Sequence, residues 1–367
     1  MKERKIGVTP NTQAVELSLS DFGYELPKSL IAQEPLRKRS DARLLVLERA
    51  TGKMEHRGFT DITDYLDAGD CLVLNDTKVL RARLFGKKKT GGRVEVLLHK
   101  KLGPSEWEVL LKPGGRVKAG GEIFFGENGT ALRAEVLDPS QPDSGLRKVR
   151  FWPAGQNLEK TLETLGRVPL PPYIDRPDTE VDRELYQTVF AKREGAVASP
   201  TAGLHFDEPL LEKIRAKGVE ITFVTLHVGY GTFQPVAAEN IAAHKMHPEE
   251  YEVSEETAAK LNRAIESGRR IVSCGTTVVR TLETLATRGD NGTVRVRAGR
   301  GETRLFIYPP YSFAVTQSLI TNFHLPRTTL LMLAAAFAGR DALFKAYEEA
   351  IREGYRFYSY GDAMLIL

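Results

Sequence analysis

The sequence predicts a mixed α/β domain into which a small antiparallel β-barrel is inserted. Between about Leu80 and Trp152, short alternating segments separated by glycine-rich turns follow one another without a segment of helical period. On both sides of this region strand-like and helix-like segments alternate, which indicates an α/β arrangement. A chain of 367 residues is long enough for two domains. We therefore expect a discontinuous α/β domain over residues 1–76 and 155–367 and a barrel over residues 77–154.

Six segments of the barrel region alternate apolar and polar residues, as strands with one buried face do. Turn sequences divide them, for example GKKKTGG at 86–92 and PGG at 113–115. The predicted strands cover residues 80–85, 93–99, 107–111, 122–125, 131–137 and 148–152. Six short strands at this spacing are typical of a small antiparallel barrel.

The α/β half contains four predicted strands and five predicted helices. A capping pattern begins at Ser254, and Gly218 and Gly268 end two of the helices. The predicted strands lie in residues 41–52, 71–76, 219–231 and 270–275. The predicted helices lie in residues 208–218, 254–268, 276–287, 328–339 and 341–354.

Positive charge is concentrated in one region of the chain. The formal net charge is +4, but the segment from Lys78 to Lys118 contains twelve Lys or Arg residues and three Glu residues. That segment therefore carries +9 and leaves −5 for the rest of the chain. Such asymmetry is expected of a surface that faces a polyanion, and a solvated basic β surface explains it equally well.

The sequence predicts a soluble protein of a reducing compartment. Cys71 and Cys274 lie in apolar runs and are interpreted as small core residues. The basic, polar N-terminus lacks the apolar segment of a secretory signal, and the longest apolar stretch, residues 330–338, is too short for a membrane helix. We expect a cytoplasmic protein, a monomer that does not bind membranes.

Several polar clusters follow predicted strands, at the point where open α/β sheets bind ligands. In the first, Asn75, Asp76 and Lys78 follow an apolar strand. Arg81 and Arg83 then alternate on one strand face, in a spacing that suits phosphate or carboxylate recognition. A turn followed by an exposed strand edge is the alternative.

Two further clusters combine small residues with histidine. In GAVASPTAGLHF, small residues allow the backbone to approach a ligand, and Thr201 and His205 are candidates. In TLHVGYGTFQPV, a histidine lies in an apolar strand, where a core role is equally plausible. The glycines after it expose backbone, and the aromatic rings offer flat faces for a base or a sulfonium. This cluster contributes the candidates His227, Gly229, Tyr230 and Phe233.

The C-terminal half contains the remaining clusters. Thr276 begins a helix whose backbone donors suit an anion, and His324 and Arg327 precede a buried helix. His244 and His247 are three residues apart, but a proline follows the second and no Cys or Asp completes a site. We therefore expect no metal.

The chain lacks a Walker A sequence, a nucleophile elbow, paired metal-binding cysteines and a dinucleotide fingerprint. Its residues alone thus predict an α/β enzyme with a histidine-rich cleft and a basic β insert, without defining the reaction.

Taken together, these motifs resemble the S-adenosylmethionine:tRNA ribosyltransferase-isomerases, the QueA family. The resemblance runs in order through nearly the whole chain from about Asp21, and residues 1 to about 20 look like an extension outside it. The matching strings include LVLNDTKVLRARLFG, PLPPYI, YQTVFAKREGAVASPTAGLHF, VTLHVGYGTFQPV, HKMHPEEYEV, GTTVVRTLE, TRLFIYPPYSF, NFHLPRTTLLMLAAAFAG and GYRFYSYGDAMLI.

The resemblance implies a two-domain fold and one reaction of queuosine biosynthesis. S-adenosylmethionine, as co-substrate, donates its ribosyl part to 7-aminomethyl-7-deazaguanine at the wobble position of tRNA, and adenine and methionine leave. The ribose becomes an epoxy-cyclopentanediol. The sulfonium acidifies the adjacent C5′ hydrogens, so a positioned base can begin the reaction without a metal. The partners implied are S-adenosylmethionine and the anticodon stem-loop of the pre-modified tRNA.

We assign roles to the candidates as hypotheses. His205, His227 and His324 are the candidate acid and base, with Asp76 as another base, because histidine titrates near neutral pH. Lys78, Arg81 and Arg83 are candidate tRNA phosphate contacts. The other substrate-binding candidates are Asn75, Thr201, Gly229, Tyr230, Phe233, Thr276 and Arg327.

Two rival functions are an RNA methyltransferase that uses S-adenosylmethionine and a noncatalytic RNA-binding module built on the barrel. The absence of a glycine-rich nucleotide loop after an early strand argues against the methyltransferase. The histidine clusters outside the barrel have no purpose in the binding module.

Overall fold

The computed structural model describes residues 17–114, 117–138, 145–155, 157–229, 231, 236 and 238–367. Most of the predicted N-terminal extension lies outside the described residues, as do the candidates Tyr230 and Phe233. Within the described ranges the chain forms a large mixed sheet, a closed barrel and helices that cover the sheet.

The strands of the described ranges form a large sheet, a barrel and two small two-stranded sheets. The strands are β1 (Arg43–Glu48), β2 (Lys53–Gly58), β3 (Cys71–Asn75), β4 (Thr77–Val79), β5 (Arg83–Lys88), β6 (Arg93–Lys101), β7 (Glu106–Lys112), β8 (Glu122–Phe125), β9 (Leu132–Val136), β10 (Leu146–Pro153), β11 (Arg193–Ala196), β12 (Glu220–Leu226), β13 (Glu249–Val253), β14 (Ile271–Cys274), β15 (Ala286–Arg288), β16 (Val294–Val296), β17 (Gly299–Thr303), β18 (Ser318–Asn322) and β19 (Ala363–Ile366). The two small sheets pair β4 with β11 and β15 with β16.

All five predicted helices are present, and two short ones between the barrel and β11 were not predicted. The α-helices are α1 (Leu158–Leu165), α2 (Glu180–Leu185), α3 (Glu208–Ala216), α4 (Glu255–Glu266), α5 (Thr276–Leu285), α6 (Thr329–Ala338) and α7 (Arg340–Arg352). The short 3₁₀ helices are Leu19–Phe22, Lys28–Leu30, Arg39–Asp41, Phe59–Tyr65, Glu127–Gly129, Thr201–His205 and Ile241–Ala243.

The large sheet has nine described strands in the order β17-β13-β12-β3-β14-β18-β19-β1-β2. Its centre is parallel, since β3 pairs in parallel with β12 and with β14, and β14 pairs in parallel with β18. The carboxyl ends of these four strands therefore lie along one edge. Ligands of open α/β sheets bind outside such an edge.

Helices cover both faces of this sheet. Leu72 and Leu74 of β3 pack in one cluster with α3, whereas Cys71 and Val73 pack in another with α4 and α5. A strand that is buried on both faces has a continuous apolar sequence, which is why the run CLVL does not alternate. Cys71 and Cys274 are both buried, as the sequence predicted.

The barrel is closed, with strand order β10-β7-β6-β5-β8-β9, and every described pair in it is antiparallel. The predicted mixed fold with an inserted antiparallel barrel is therefore confirmed. The first barrel strand was predicted to begin at Leu80, but β5 begins at Arg83. Leu80 N–H instead donates to Ala196 O at 2.9 Å, which keeps this segment against β11. The strand instead continues to Lys88, which closes a tight turn with Gly92.

Candidate active site

A cleft of about 1510 Å³ lies between the carboxyl edge of the parallel strands and one end of the barrel. The barrel contributes the end of β6 and the start of β7, including His99 and Trp107. The sheet side contributes the segments that follow β3, β12, β14 and β18. Seven of the predicted site residues line this cleft: Lys78, Arg81, Thr201, His227, Gly229, Thr276 and His324.

His227, the first residue after β12, is held in the cleft from two sides. Its Nδ1 lies 2.8 Å from Thr77 Oγ1. Its ring also lies flat against Gly195, where an added Cβ would be 2.7 Å from Nδ1. Burial lowers the pKa of His227, although the charges of Glu250 and Asp76 oppose that shift. The imidazole is therefore neutral at physiological pH and able to accept a proton.

Asp76 lies beside this histidine without lining the cleft. Its Oδ1 accepts a hydrogen bond from Thr225 Oγ1 at 2.6 Å, and burial raises the pKa of its carboxyl. The structure therefore places Asp76 where its charge acts on His227 and not where a substrate would touch it.

His324 lines the opposite part of the cleft, after β18. Its Nε2 lies 2.8 Å from Thr321 Oγ1, and its backbone N–H donates to Tyr347 Oη at 2.9 Å. Burial lowers the pKa of His324 to about 3. This imidazole also remains neutral at physiological pH, but it is a far weaker base than an exposed histidine.

His205 does not join the other two histidines. The 3₁₀ helix Thr201–His205 presents Thr201 to the cleft and His205 to the packed region behind it. There the imidazole packs against Phe59, with ring centroids 5.0 Å apart, and lines a separate cavity of about 30 Å³. Burial lowers its pKa to about 4. Packing thus holds a histidine that was predicted as a catalytic candidate, although its Nε2 has no hydrogen-bond partner among the described residues.

Asn75 was predicted to bind substrate, but its side-chain amide is fully used within the protein. Nδ2 donates to Leu226 O at 3.0 Å and to Thr277 Oγ1 at 3.2 Å. Oδ1 accepts from the backbone N–H groups of Thr77 and Leu226, each at 3.1 Å. Asn75 is 2% exposed and does not line the cleft, so it positions the segments that do.

The two predicted strand arginines have different surroundings. Arg81 lines the cleft, and its Nη1 donates to Glu163 O at 3.3 Å. Arg83 does not line it, because its guanidinium lies 3.0 Å from the Glu95 carboxylate and donates to Leu170 O at 2.9 Å. Of the two arginines that were expected to bind phosphate, Arg81 therefore lines the cleft, whereas Arg83 makes contacts within the protein.

Charge in the cleft is balanced. Eight basic and eight acidic described side chains line it. Of the described basic residues between Lys78 and Lys118, the cleft contains those at 78, 81, 100 and 101, and the others lie outside it. Lys100 of the barrel forms ion pairs with Glu250 and Glu302, which belong to strands of the large sheet. These contacts neutralise part of the positive charge of the barrel.

Of the remaining predicted residues, Gly229 and Thr276 line the cleft and Arg327 does not. Gly229 lines the cleft, and its N–H donates to Glu249 Oε1 at 3.1 Å. Thr276 lines it at the first turn of α5. Arg327 is exposed outside it, because its backbone turns at φ 60° and its N–H donates to Phe22 O at 2.9 Å.

Sequence reasoning missed several residues of the cleft. His99 ends the apolar part of β6, where alternation predicts only a barrel strand. Arg280 and Glu249 form a buried ion pair in the cleft, from α5 and β13. The available signal for Arg280 was its position one turn after Thr276, next to the apolar residues Val278 and Val279.

Several buried polar atoms that lack hydrogen-bond partners within the described ranges belong to residues lining this cleft. They are Trp107 Nε1, Tyr186 Oη, Ser199 Oγ, Arg280 Nη2 and Asn322 Oδ1. An unsatisfied buried polar group costs about 1–3 kcal/mol, so such groups are rare in folded proteins. Their concentration here indicates a site that is completed by a polar ligand or by water.

No group of three or more His, Cys, Asp or Glu side chains in the described part of the chain is arranged to hold a metal ion. None of its helices is both long and apolar enough to cross a membrane.

The buried histidines make the stability of the folded protein depend on pH. His205 has a folded-state pKa of about 4, below the ordinary 6.5, so only the unfolded chain takes up its proton between these values. Stability is therefore complete above pH 6.5 and decreases as the pH falls towards 4, by at most about 1.4 kcal/mol per pH unit for this group.

We expect His205→Asn to reduce this loss, as measured by denaturant unfolding between pH 7 and pH 5. The variant removes the titrating group, and His205 lies outside the cleft. A variant whose stability falls as steeply with pH as that of the natural protein would contradict the assignment.

Comparison with known proteins places this site in a family. The family model described as queuosine biosynthesis protein matches residues 19–366. A crystal structure of an S-adenosylmethionine tRNA ribosyltransferase from Thermotoga maritima, at 2.00 Å resolution, is 41% identical to this chain. The match covers 95% of this chain and 100% of that one, with a TM-score of 0.53. The prediction that the chain is a transferase enzyme is confirmed by these matches. Because the family model spans nearly all of the sequence, this chain belongs to the queuosine biosynthesis protein family.

Proposed function

We propose that the protein transfers and isomerises the ribosyl part of S-adenosylmethionine onto 7-aminomethyl-7-deazaguanine at the wobble position of tRNA. The products are epoxyqueuosine-tRNA, adenine and methionine. The family and the Thermotoga maritima ribosyltransferase support this proposal. The main structural support is the imidazole of His227, which is neutral and held in place by Thr77 in the cleft. Several residues that line this cleft have buried polar atoms without a partner in the described ranges.

His227 is the base in this proposal. The sulfonium of S-adenosylmethionine acidifies the C5′ hydrogens, and a neutral imidazole can remove one of them. Asp76 is near enough for its charge to raise the pKa of His227, so it would stabilise the imidazolium that forms. Thr77 and Gly195 fix the ring in place.

His324 has a different role in this scheme. An imidazole with a pKa of about 3 carries no proton charge at physiological pH, so it is neither a strong acid nor a strong base. It can still donate or accept a neutral hydrogen bond while adenine leaves. His205 has no part in the chemistry, because it does not line the cleft.

The products decide between this function and its rivals. We expect incubation of S-adenosylmethionine with tRNA that contains the aminomethyl base to release adenine and methionine, with epoxyqueuosine found by nucleoside mass spectrometry. A methyltransferase would release S-adenosylhomocysteine instead. A binding module would leave S-adenosylmethionine unchanged, and either result would refute the proposal.

Substitution of His227 tests the base. We expect His227→Gln to slow adenine release by about 10²- to 10⁴-fold, the usual contribution of a positioned base. Binding of S-adenosylmethionine should change little. His56→Gln is the control, since His56 lies outside the cleft, beside Tyr355 and Glu349. Full activity of the His227 variant would exclude it as the base.

The pH profile supplies a second measurement of the same assignment. Because burial lowers the pKa of His227, the natural enzyme should lose activity only on acidification below pH 6.5. The residual activity of His227→Gln should lack this acid limb. The same acid limb in the variant would assign it to another group.

Lys78 and Arg81 are the proposed tRNA phosphate contacts, since both line the cleft. Lys78 makes an exposed ion pair with Glu194 at 2.9 Å, and such pairs exchange partners at little cost. We expect Lys78→Ala and Arg81→Ala each to reduce the slope of log affinity for tRNA against log salt by about one. Lys213→Ala, on α3 and outside the cleft, is the control. An unchanged slope would count against the assignment.

A further inference from the structure

Arg280 is a buried arginine that lines the cleft with part of its guanidinium unused. Its side chain is 7% exposed. Nε donates to Leu305 O at 2.9 Å, and Nη1 donates to the Glu249 carboxylate. Nη2 has no hydrogen-bond partner among the described residues. The two N–H groups of Nη2 belong to a permanently charged group, and they are buried beside the cleft without a partner in the described part of the chain.

Glu249 does not satisfy this charge completely. One carboxylate oxygen accepts from Arg280 Nη1, and the other accepts from Gly229 N–H at 3.1 Å. The carboxylate is therefore shared between a guanidinium nitrogen and a backbone donor, which holds the guanidinium in a fixed orientation. A single arginine can bind a second anion through its outer nitrogen, because its five donors point in different directions.

The first turn of α5 supplies further donors beside it. Thr276 and Thr277 line the cleft, and the N–H groups of a first helical turn have no acceptor within the helix. Helical side chains lean towards the N-terminus, so a long side chain at position 280 extends back over this turn. Asn75 anchors the turn through Thr277 Oγ1. Arg280 and the first-turn residues Thr276 and Thr277 therefore line the same cleft from one helix.

We propose that Arg280 Nη2 and the first-turn amides of α5 bind the carboxylate of the methionyl part of S-adenosylmethionine. This inference rests on the proposed function, which supplies that substrate. The residues 305–307, joined to Arg280 through Leu305 O, line the cleft with apolar side chains that suit the methylene carbons of the methionyl chain. A tRNA phosphate is the other anion that these donors would accept, and the experiment separates the two.

The test compares S-adenosylmethionine with its decarboxylated analogue, which differs by the absent carboxylate. Each compound is titrated calorimetrically into the protein without tRNA, so turnover is not needed. We expect the natural protein to bind S-adenosylmethionine about ten- to a hundred-fold more tightly than the analogue, as hydrogen bonds to charged groups provide. Arg280→Met should abolish this preference and leave binding of the analogue unchanged.

A second variant guards against a folding defect. Arg280→Met alone leaves Glu249 buried without its cation, whereas the double variant Arg280→Met/Glu249→Gln removes both charges and keeps an acceptor for Gly229 N–H. The double variant should also bind the two compounds equally. Arg295→Met is the control, because Arg295 is exposed and pairs with Glu266 outside the cleft. It should keep the full preference.

Two results would overturn the inference. The natural protein could bind both compounds equally, or both Arg280 variants could keep the preference for S-adenosylmethionine. In the second case, a separate titration with tRNA in which the variants lose affinity would identify the anion as a phosphate. A natural protein that binds neither compound would instead refute the proposed function itself, and this inference with it.

Discussion

The arrangement of the cleft depends on one buried amide, that of Asn75. Its four hydrogen bonds join the end of β3 to the end of β12, to the start of β4 and to the first turn of α5. Those segments carry the proposed base, His227, and the proposed anion donors around Thr276. A fully satisfied buried polar group of this kind fixes one geometry, since any displacement leaves donors unpaired at low dielectric.

Burial then decides the protonation states that the site can use. The pKa of His227 is lowered by burial and partly restored by Glu250 and Asp76, so this imidazole is neutral but still basic. His324 lacks such compensation, and its pKa falls to about 3. Ion pairs such as that between Lys100 and Glu250 connect the barrel to the large sheet. Because the basic and acidic side chains of the cleft are equal in number, we expect a ligand to be bound mainly through hydrogen-bond donors and less through net charge.

Local patterns predicted the barrel, five helices and four strands of the large sheet, but not its other five strands, β2, β13, β17, β18 and β19. Period-two alternation and glycine turns predicted the barrel strands, and capping signals such as Ser254, whose Oγ accepts from Thr257 N–H at 3.1 Å, located the longer helices. The first barrel strand was misplaced because Leu80 pairs with Ala196, more than a hundred residues away, and no local pattern contains that contact. The short helices α1 and α2 offered too few turns for a period to be recognised.

By itself, the sequence determined the family, because its motifs resemble that family along nearly the whole chain. Period and turn signals determined the inserted barrel, the longer helices and the strand ends at which ligands would bind. Only the tertiary structure decided which polar side chains face the ligand. His205 packs against Phe59 and Arg83 makes internal contacts, whereas Arg280 lines the cleft from a helix of which only the first turn was predicted to bind a ligand. A side chain's role depends on which partners already satisfy it, and those partners come from distant parts of the chain.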